Sequence, residues 1–155
     1  MSKHYYQNLN SAFLAHFARR LSDLIAEQGS EILKARCLKT PASSISAMLY
    51  LSENQNVTVA LLAKSLGVSH QMATQRSNFL EKLGLIERVA TEHDKRSKII
   101  NLTKTGKQEV KKILPFTQQV KKVFDDLEDE IGCELATYIR KAELSLRDKP
   151  IKQRI

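Results

Sequence analysis

Two glycines, Gly67 and Gly84, most narrowly limit what this chain can become. Each follows an amphipathic run and stands where a helix can stop in the left-handed conformation that glycine adopts most cheaply. Thr58 can cap a short helix from Val59 to Leu66, with Leu61, Leu62 and Leu66 predicted to face inward. Ser69 can cap the next, from His70 to Leu83. Two helices joined by so short a glycine-containing turn are a helix-turn-helix candidate.

Past Gly84 the apolar period changes from helical to alternating. Leu85-Ile86-Glu87-Arg88-Val89 and Lys98-Ile99-Ile100-Asn101-Leu102 read as strands. The segment between them, Thr91 to Ser97, is charged and nearly free of apolar residues, which predicts a hairpin with a basic tip. Together the helix pair and hairpin give a winged helix-turn-helix. Thr40-Pro41 reads as an N-cap followed by proline at the first helical position, opening a helix that runs to about Glu53 on Ile45, Met48, Leu49 and Leu51.

The flanks are helical by period. Tyr6, Leu9, Phe13, Leu14, Phe17, Leu21, Leu24 and Ile25 mark a long first helix, which Gly29 can end or loosen and Ile32-Leu33 can extend. Val110, Ile113, Val120, Phe124, Leu127 and Ile131 mark another, where Pro115 predicts a kink or a break. Leu135, Ile139, Ala142 and Leu146 form a narrow stripe suited to packing against a second helix. The middle of the chain is too small to cover these faces, so homodimerisation through the termini is the economical solution. The fold class is therefore mainly α with a small β-hairpin wing, in one domain. Residues 41–112 form the winged-helix lobe, and 1–40 with 113–155 form dimerisation helices.

Charge is concentrated where the wing lies. The formal net charge is +8. Residues 57–112 carry eleven Lys or Arg against five Asp or Glu, net +6, whereas 113–155 carry eight of each. A solubility device would be spread along the chain; a phosphate-facing surface is concentrated. On a helical wheel His70, Gln71, Thr74, Gln75, Asn78, Glu81 and Lys82 fall opposite Met72, Ala73, Phe79, Leu80 and Leu83. Gln and Asn can pair bidentately with adenine and Thr can touch a thymine methyl, so Ser69, His70, Gln71, Thr74, Gln75 and Asn78 are the candidate groove-reading residues. Arg96 at the hairpin tip is placed to enter a minor groove. Arg88, Lys95 and Lys98 are candidate phosphate contacts. Arg76 falls in the centre of the apolar arc, where its stem is expected to pack and its charge to be paired.

At this point the sequence resembles the MarR family of winged-helix regulators. Asp94-x-Arg96, five residues, Leu102-Thr103, two residues and Gly106 match the family's wing pattern at every fixed position. Leu66-Gly67-Val68-Ser69, Thr74, Leu80 and Gly84-Leu85-Ile86 are similar to its recognition-helix pattern at the same spacing. Two departures stand out: Gln75, where many members carry arginine, and Arg76, where an aliphatic residue is usual. The resemblance implies a homodimeric transcriptional regulator, a repressor, that binds double-stranded DNA at a near-palindromic operator. It implies that Asp94 pairs with an arginine and fixes the wing, and that a small aromatic or phenolic anion, or an oxidant, releases the DNA.

Other classes fall away on the residues themselves. No apolar run approaches a membrane span and the polar N-terminus lacks a signal-peptide core, so a cytoplasmic protein with no membrane partner is expected. Two cysteines and four scattered histidines have no ligand spacing, so no metal and no cofactor are expected. No phosphate loop or nucleophile elbow is present, and the acidic run Asp125 to Glu130 reads as the polar face of a dimer helix, so no enzymatic activity is expected. Cys37 lies beside Arg36 and near Lys39, a cationic setting of the kind redox cysteines use, and is the candidate redox residue; otherwise Cys37 and Cys133 are expected as small buried hydrophobes. His16 is expected as a hydrogen-bonded interface residue. The alternative function is a winged-helix protein-interaction module without specific DNA binding.

Overall fold

The computed structural model describes residues 8–90 and 98–155. In chain order it contains α1 (Leu14–Ala35), a 3-10 turn (Ala42–Ser44), α2 (Ile45–Glu53), α3 (Val59–Leu66) and α4 (His70–Lys82). The antiparallel strands β1 (Ile86–Ala90) and β2 (Lys98–Leu102) follow, then α5 (Lys104–Ile131) and α6 (Leu135–Asp148). This is the predicted order: four helices, a hairpin and two helices. The chain divides between Leu114 and Pro115 into two compact units.

The core lies in the first unit. Met48, Val57, Leu62, Leu80, Leu85, Ile100 and Ile113 are fully buried there. α2 contributes Ala47, Met48 and Leu51, α3 contributes Leu62 and Ala63, and α4 contributes Ala73, Ser77 and Leu80. The hairpin is held to this core at Ile100, whose amide donates to the Val57 carbonyl at 2.7 Å. In its ladder Ile86 faces Leu102, Arg88 faces Ile100 and Ala90 faces Lys98.

Two local expectations, at Thr40 and Leu61, are corrected, and two that left alternatives open, at Gly29 and Pro115, are narrowed. Gly29 does not end the first helix, which extends through Ile32-Leu33 to Ala35. Thr40 caps nothing, because its side chain is buried beside the Glu109 carboxylate; α2 starts at Ile45, behind a 3-10 turn closed by the Ser44 amide on the Pro41 carbonyl. Leu61 is exposed, and Leu62 and Ala63 carry the burial on α3. Of the two outcomes expected at Pro115, a kink or a break, the break does not occur: α5 continues through it. The carbonyl it deprives of a donor belongs to the exposed Lys111, where water can replace the lost hydrogen bond.

Phe13, Leu14, Leu24, Ile25 and Ile32 are exposed along the first long helix and the turn before it. In the second unit Val123, Ile131, Tyr138, Ile139 and Leu144 are exposed on α5 and α6. Among the described residues, no helix is long and apolar enough to cross a membrane.

Candidate nucleic-acid interface

α4 is built by its ends. The Ser69 hydroxyl accepts from the Met72 amide at 3.1 Å, satisfying one of the free donors of the first turn. Before it, Gly67 takes φ +63° and closes α3, and the Thr58 hydroxyl accepts from the Leu61 amide at 3.2 Å. The helix then packs through its small face, Ala73 and Ser77, together with Leu80. His70, Gln71, Gln75 and Asn78 are exposed and Thr74 is half-buried. The Thr74 hydroxyl donates to the His70 carbonyl at 2.8 Å, which leaves its methyl as the group free for apolar contact.

Ser69, His70, Gln71, Thr74 and Gln75 thus lie together on the N-terminal half of one helix. Asn78 and Arg88 are brought together differently. Arg88, on β1, donates through Nη1 to Glu81 Oε2 and through Nη2 to Asn78 Oδ1, both at 2.7 Å. Its side chain is 17% exposed, so the guanidinium lies along the helix rather than out in solvent. The wheel placed Glu81 beside Asn78, but nothing in sequence spacing pairs either of them with a strand residue.

The base of the wing explains the Leu-Thr-x-x-Gly pattern. The Thr103 amide donates to the Leu85 carbonyl at 3.1 Å, and the Thr103 hydroxyl donates to the Gly84 carbonyl at 2.7 Å. The same hydroxyl accepts from the Gly106 amide at 3.0 Å and so caps α5. Gly106 comes so close that a Cβ built on it would meet the Leu85 oxygen at 1.9 Å. One threonine and one glycine therefore lock the end of β2, the start of α5 and the entry to β1. Lys98 is exposed at the start of β2. Asp94, Lys95 and Arg96 lie outside the described residues.

The apolar arc of α4 is only partly inside. Met72 and Phe79 are exposed and, with Pro41, Gln75 and Arg76, line an open pocket of about 380 Å³ against the 3-10 turn. Arg76 is half-buried in that lining. The ion pair expected for it is not among those formed by the described residues. A helical wheel gives direction and not what lies there: small Ser77 sits in the core, while the larger Met72 and Phe79 face a gap. Both cysteines are exposed rather than buried. Cys37 takes φ +54° just past α1, and its amide donates to the Lys34 carbonyl. His16 is exposed, its ring edge-on to Phe17 with centroids 6.0 Å apart. Among the described residues, no group of three or more His, Cys, Asp or Glu could hold a metal ion.

The family model for the MarR family matches residues 36–97. The transcriptional repressor MprA of Escherichia coli K12 is 28% identical over 102 residues, 66% of this chain and 58% of that repressor; the chain thus spans under two thirds of the relative's length. A Staphylococcus aureus MepR–DNA complex has TM-score 0.72 at 20% identity, covering 86% of this chain and 97% of that one. Streptococcus pneumoniae FabT in complex with DNA has TM-score 0.62 at 22% identity, covering 90% and 99%. The heme sensor PefR of Streptococcus agalactiae, in complex with heme, has TM-score 0.58 at 18% identity, covering 90% and 95%. The matched residues hold α2, α3, α4 and β1, while β2, Thr103 and Gly106 lie beyond them; over residues 36–97 the chain is similar to the MarR family, and its fold is the winged helix of these solved neighbours.

Proposed function

We propose that this protein is a sequence-specific DNA-binding transcriptional regulator, a cytoplasmic homodimeric repressor rather than an enzyme. One observation carries the proposal: a capped helix presents exposed His70, Gln71 and Gln75, with half-buried Thr74 among them, as one polar face beside a hairpin in the most basic third of the chain. A major groove admits such a helix, and glutamine amides can both donate to and accept from adenine. The solved neighbours that bind DNA, MepR and FabT, share the fold that holds this helix. Ser69 spends its hydroxyl lone pair on the cap and keeps its proton for a phosphate oxygen. Lys95 and Lys98 supply phosphate contacts and Arg96 enters the minor groove, with Asp94 holding the wing.

Residues 41–112 act as the DNA-binding lobe, and 1–40 with 113–155 as dimerisation helices. The exposed Phe13, Leu14, Leu24, Val123, Ile139 and Leu144 support the dimer, since a monomer would leave them in water. Two copies would set their recognition helices about 34–36 Å apart, on a near-palindrome. A small aromatic or phenolic anion fits the pocket of Met72, Phe79 and Arg76, where apolar walls meet a cation. Such a ligand acts only through differential affinity for DNA-competent and incompetent arrangements.

Selection of bound duplexes from a random library tests the proposal. The expected result is an enriched palindrome whose half-sites lie about one helical turn apart, bound with steep salt dependence. Failure to enrich any duplex, with no salt-dependent binding, overturns it and leaves the protein-interaction module.

A further inference from the structure

Arg88 has the position of a phosphate contact and the environment of something else. It sits on β1, opposite the buried Ile100, in the hairpin that flanks the recognition helix. Its guanidinium is turned inward onto α4. One arm donates to Glu81 Oε2 and the other to Asn78 Oδ1, so the fork spans two helix positions one turn apart. Glu81 neutralises the charge that a phosphate would need. Asn78 is constrained as well: Oδ1 accepts from Arg88, so the strand fixes the amide plane and leaves only the second lone pair of Oδ1 for a base.

We propose that Arg88 is a positioning residue: its fork on Asn78 and Glu81 fixes the angle between wing and recognition helix, and with it the register of groove reading. The inference rests on the DNA-binding proposal above and deepens it. Planarity is the property that matters. A guanidinium can serve a carboxylate and an amide at once at fixed spacing, whereas a lysine ammonium is a single charge on a flexible stem. Arg88 therefore acts through the geometry of Gln71, Thr74 and Gln75, and Asn78 belongs to the strut rather than to the reading set.

The test compares Arg88→Lys, Arg88→Ala, Asn78→Ala and Glu81→Gln in the full-length protein. Operator and random-duplex affinities are measured across a salt series. For a strut, Arg88→Lys fails to rescue: it and Arg88→Ala lower operator affinity by about tenfold, the scale of one misread base pair. Random-duplex affinity and the salt slope stay unchanged, and Asn78→Ala adds nothing to Arg88→Ala. For a phosphate contact, Arg88→Ala reduces the salt slope by about one and weakens both duplexes alike, and lysine restores binding; that outcome overturns the inference. Amide hydrogen exchange in the DNA-free protein separates this failure from failure of DNA binding itself. Glu81→Gln and both Arg88 variants should speed exchange in Ile86–Leu102 at unchanged global stability. Unchanged exchange there overturns the strut whether or not any duplex is bound.

Discussion

Gly106 and the Leu85 carbonyl are in contact so close that no side chain can stand between them: a Cβ on Gly106 would lie 1.9 Å from that oxygen. The oxygen also accepts from the Thr103 amide, so it cannot retreat without breaking the base of the wing. Gly106→Ala should destabilise the protein by about 3 kcal/mol or more, as overpacking against backbone does when neither side can shift. Thr103→Val keeps the shape and loses the cap and the Gly84 contact, for about 1–2 kcal/mol. Urea unfolding of both variants against the parent measures the order: alanine at 106 worse than valine at 103.

Glu109 fastens the segment after α1 to the lobe. Its carboxylate accepts from the amides of Lys39 and Thr40 and from the Thr40 hydroxyl, and Glu109 is only 4% exposed. Glu109→Ala strands two backbone donors in a poorly hydrated place and should cost about 2–4 kcal/mol. Glu109→Gln keeps an acceptor oxygen and should recover about half of that. Chemical denaturation decides; equal losses for the two variants would show that the carboxylate charge, which glutamine lacks, holds the segment rather than an acceptor oxygen alone.

These two fastenings mark the limit of what the sequence makes legible. Thr58, Gly67 and Ser69 do their work within three residues, so caps and helix bounds can be read from the string. Glu109 meets Thr40 across 69 residues and Thr103 meets Gly84 across 19, and no periodicity reports such pairs. The Leu102-Thr103-x-x-Gly106 pattern signals the wing base, but only the close approach of Leu85 explains its glycine. Side-chain commitments escape for the same reason: Arg88 and Asn78 looked available for DNA until each was seen to hold the other. Size misleads too, since Ser77 is fully buried while Met72 and Phe79 are not.

Cys37 occupies a backbone position that suits glycine. Its φ of +54° lies in the left-handed region, at the end of α1, where the Leu38 amide returns to the Leu33 carbonyl. Cys37→Gly should raise stability by about 0.5–1 kcal/mol, and Cys37→Ala should not. Because the thiol is exposed, the same variant tests the redox role proposed from the sequence. If oxidation of Cys37 releases DNA, peroxide should abolish operator binding by the parent and spare Cys37→Gly. Equal sensitivity of both proteins would remove Cys37 from the switch.

Arg76 is the charged group of the pocket beneath the recognition helix, between Met72 and Phe79 and next to Gln75. A hydroxybenzoate could place its ring on Met72 and Phe79 and its carboxylate on Arg76. Arg76→Ala should weaken hydroxybenzoate binding by about tenfold or more, the loss expected when one charge-assisted hydrogen bond is removed. Calorimetry reads this directly, and a neutral hydroxybenzyl alcohol should bind parent and variant alike. Equal hydroxybenzoate affinity for the two proteins would place the anion elsewhere.

Arg96 offers the sharpest separation of affinity from stability. Arg96 follows Asp94 in the wing pattern and belongs to a sequence segment, Thr91 to Ser97, with few apolar residues. Arg96→Ala should leave the unfolding free energy within about 0.5 kcal/mol of the parent, the result expected of a residue that serves DNA rather than the fold. Operator affinity should fall by about tenfold to a hundredfold at matched salt, because a cation in a narrowed minor groove supplies both charge and shape readout. Random-duplex affinity should fall much less. Fluorescence anisotropy on both duplexes measures the ratio. An operator affinity unchanged by Arg96→Ala would take the wing out of recognition and leave groove reading to Gln71, Thr74 and Gln75 alone.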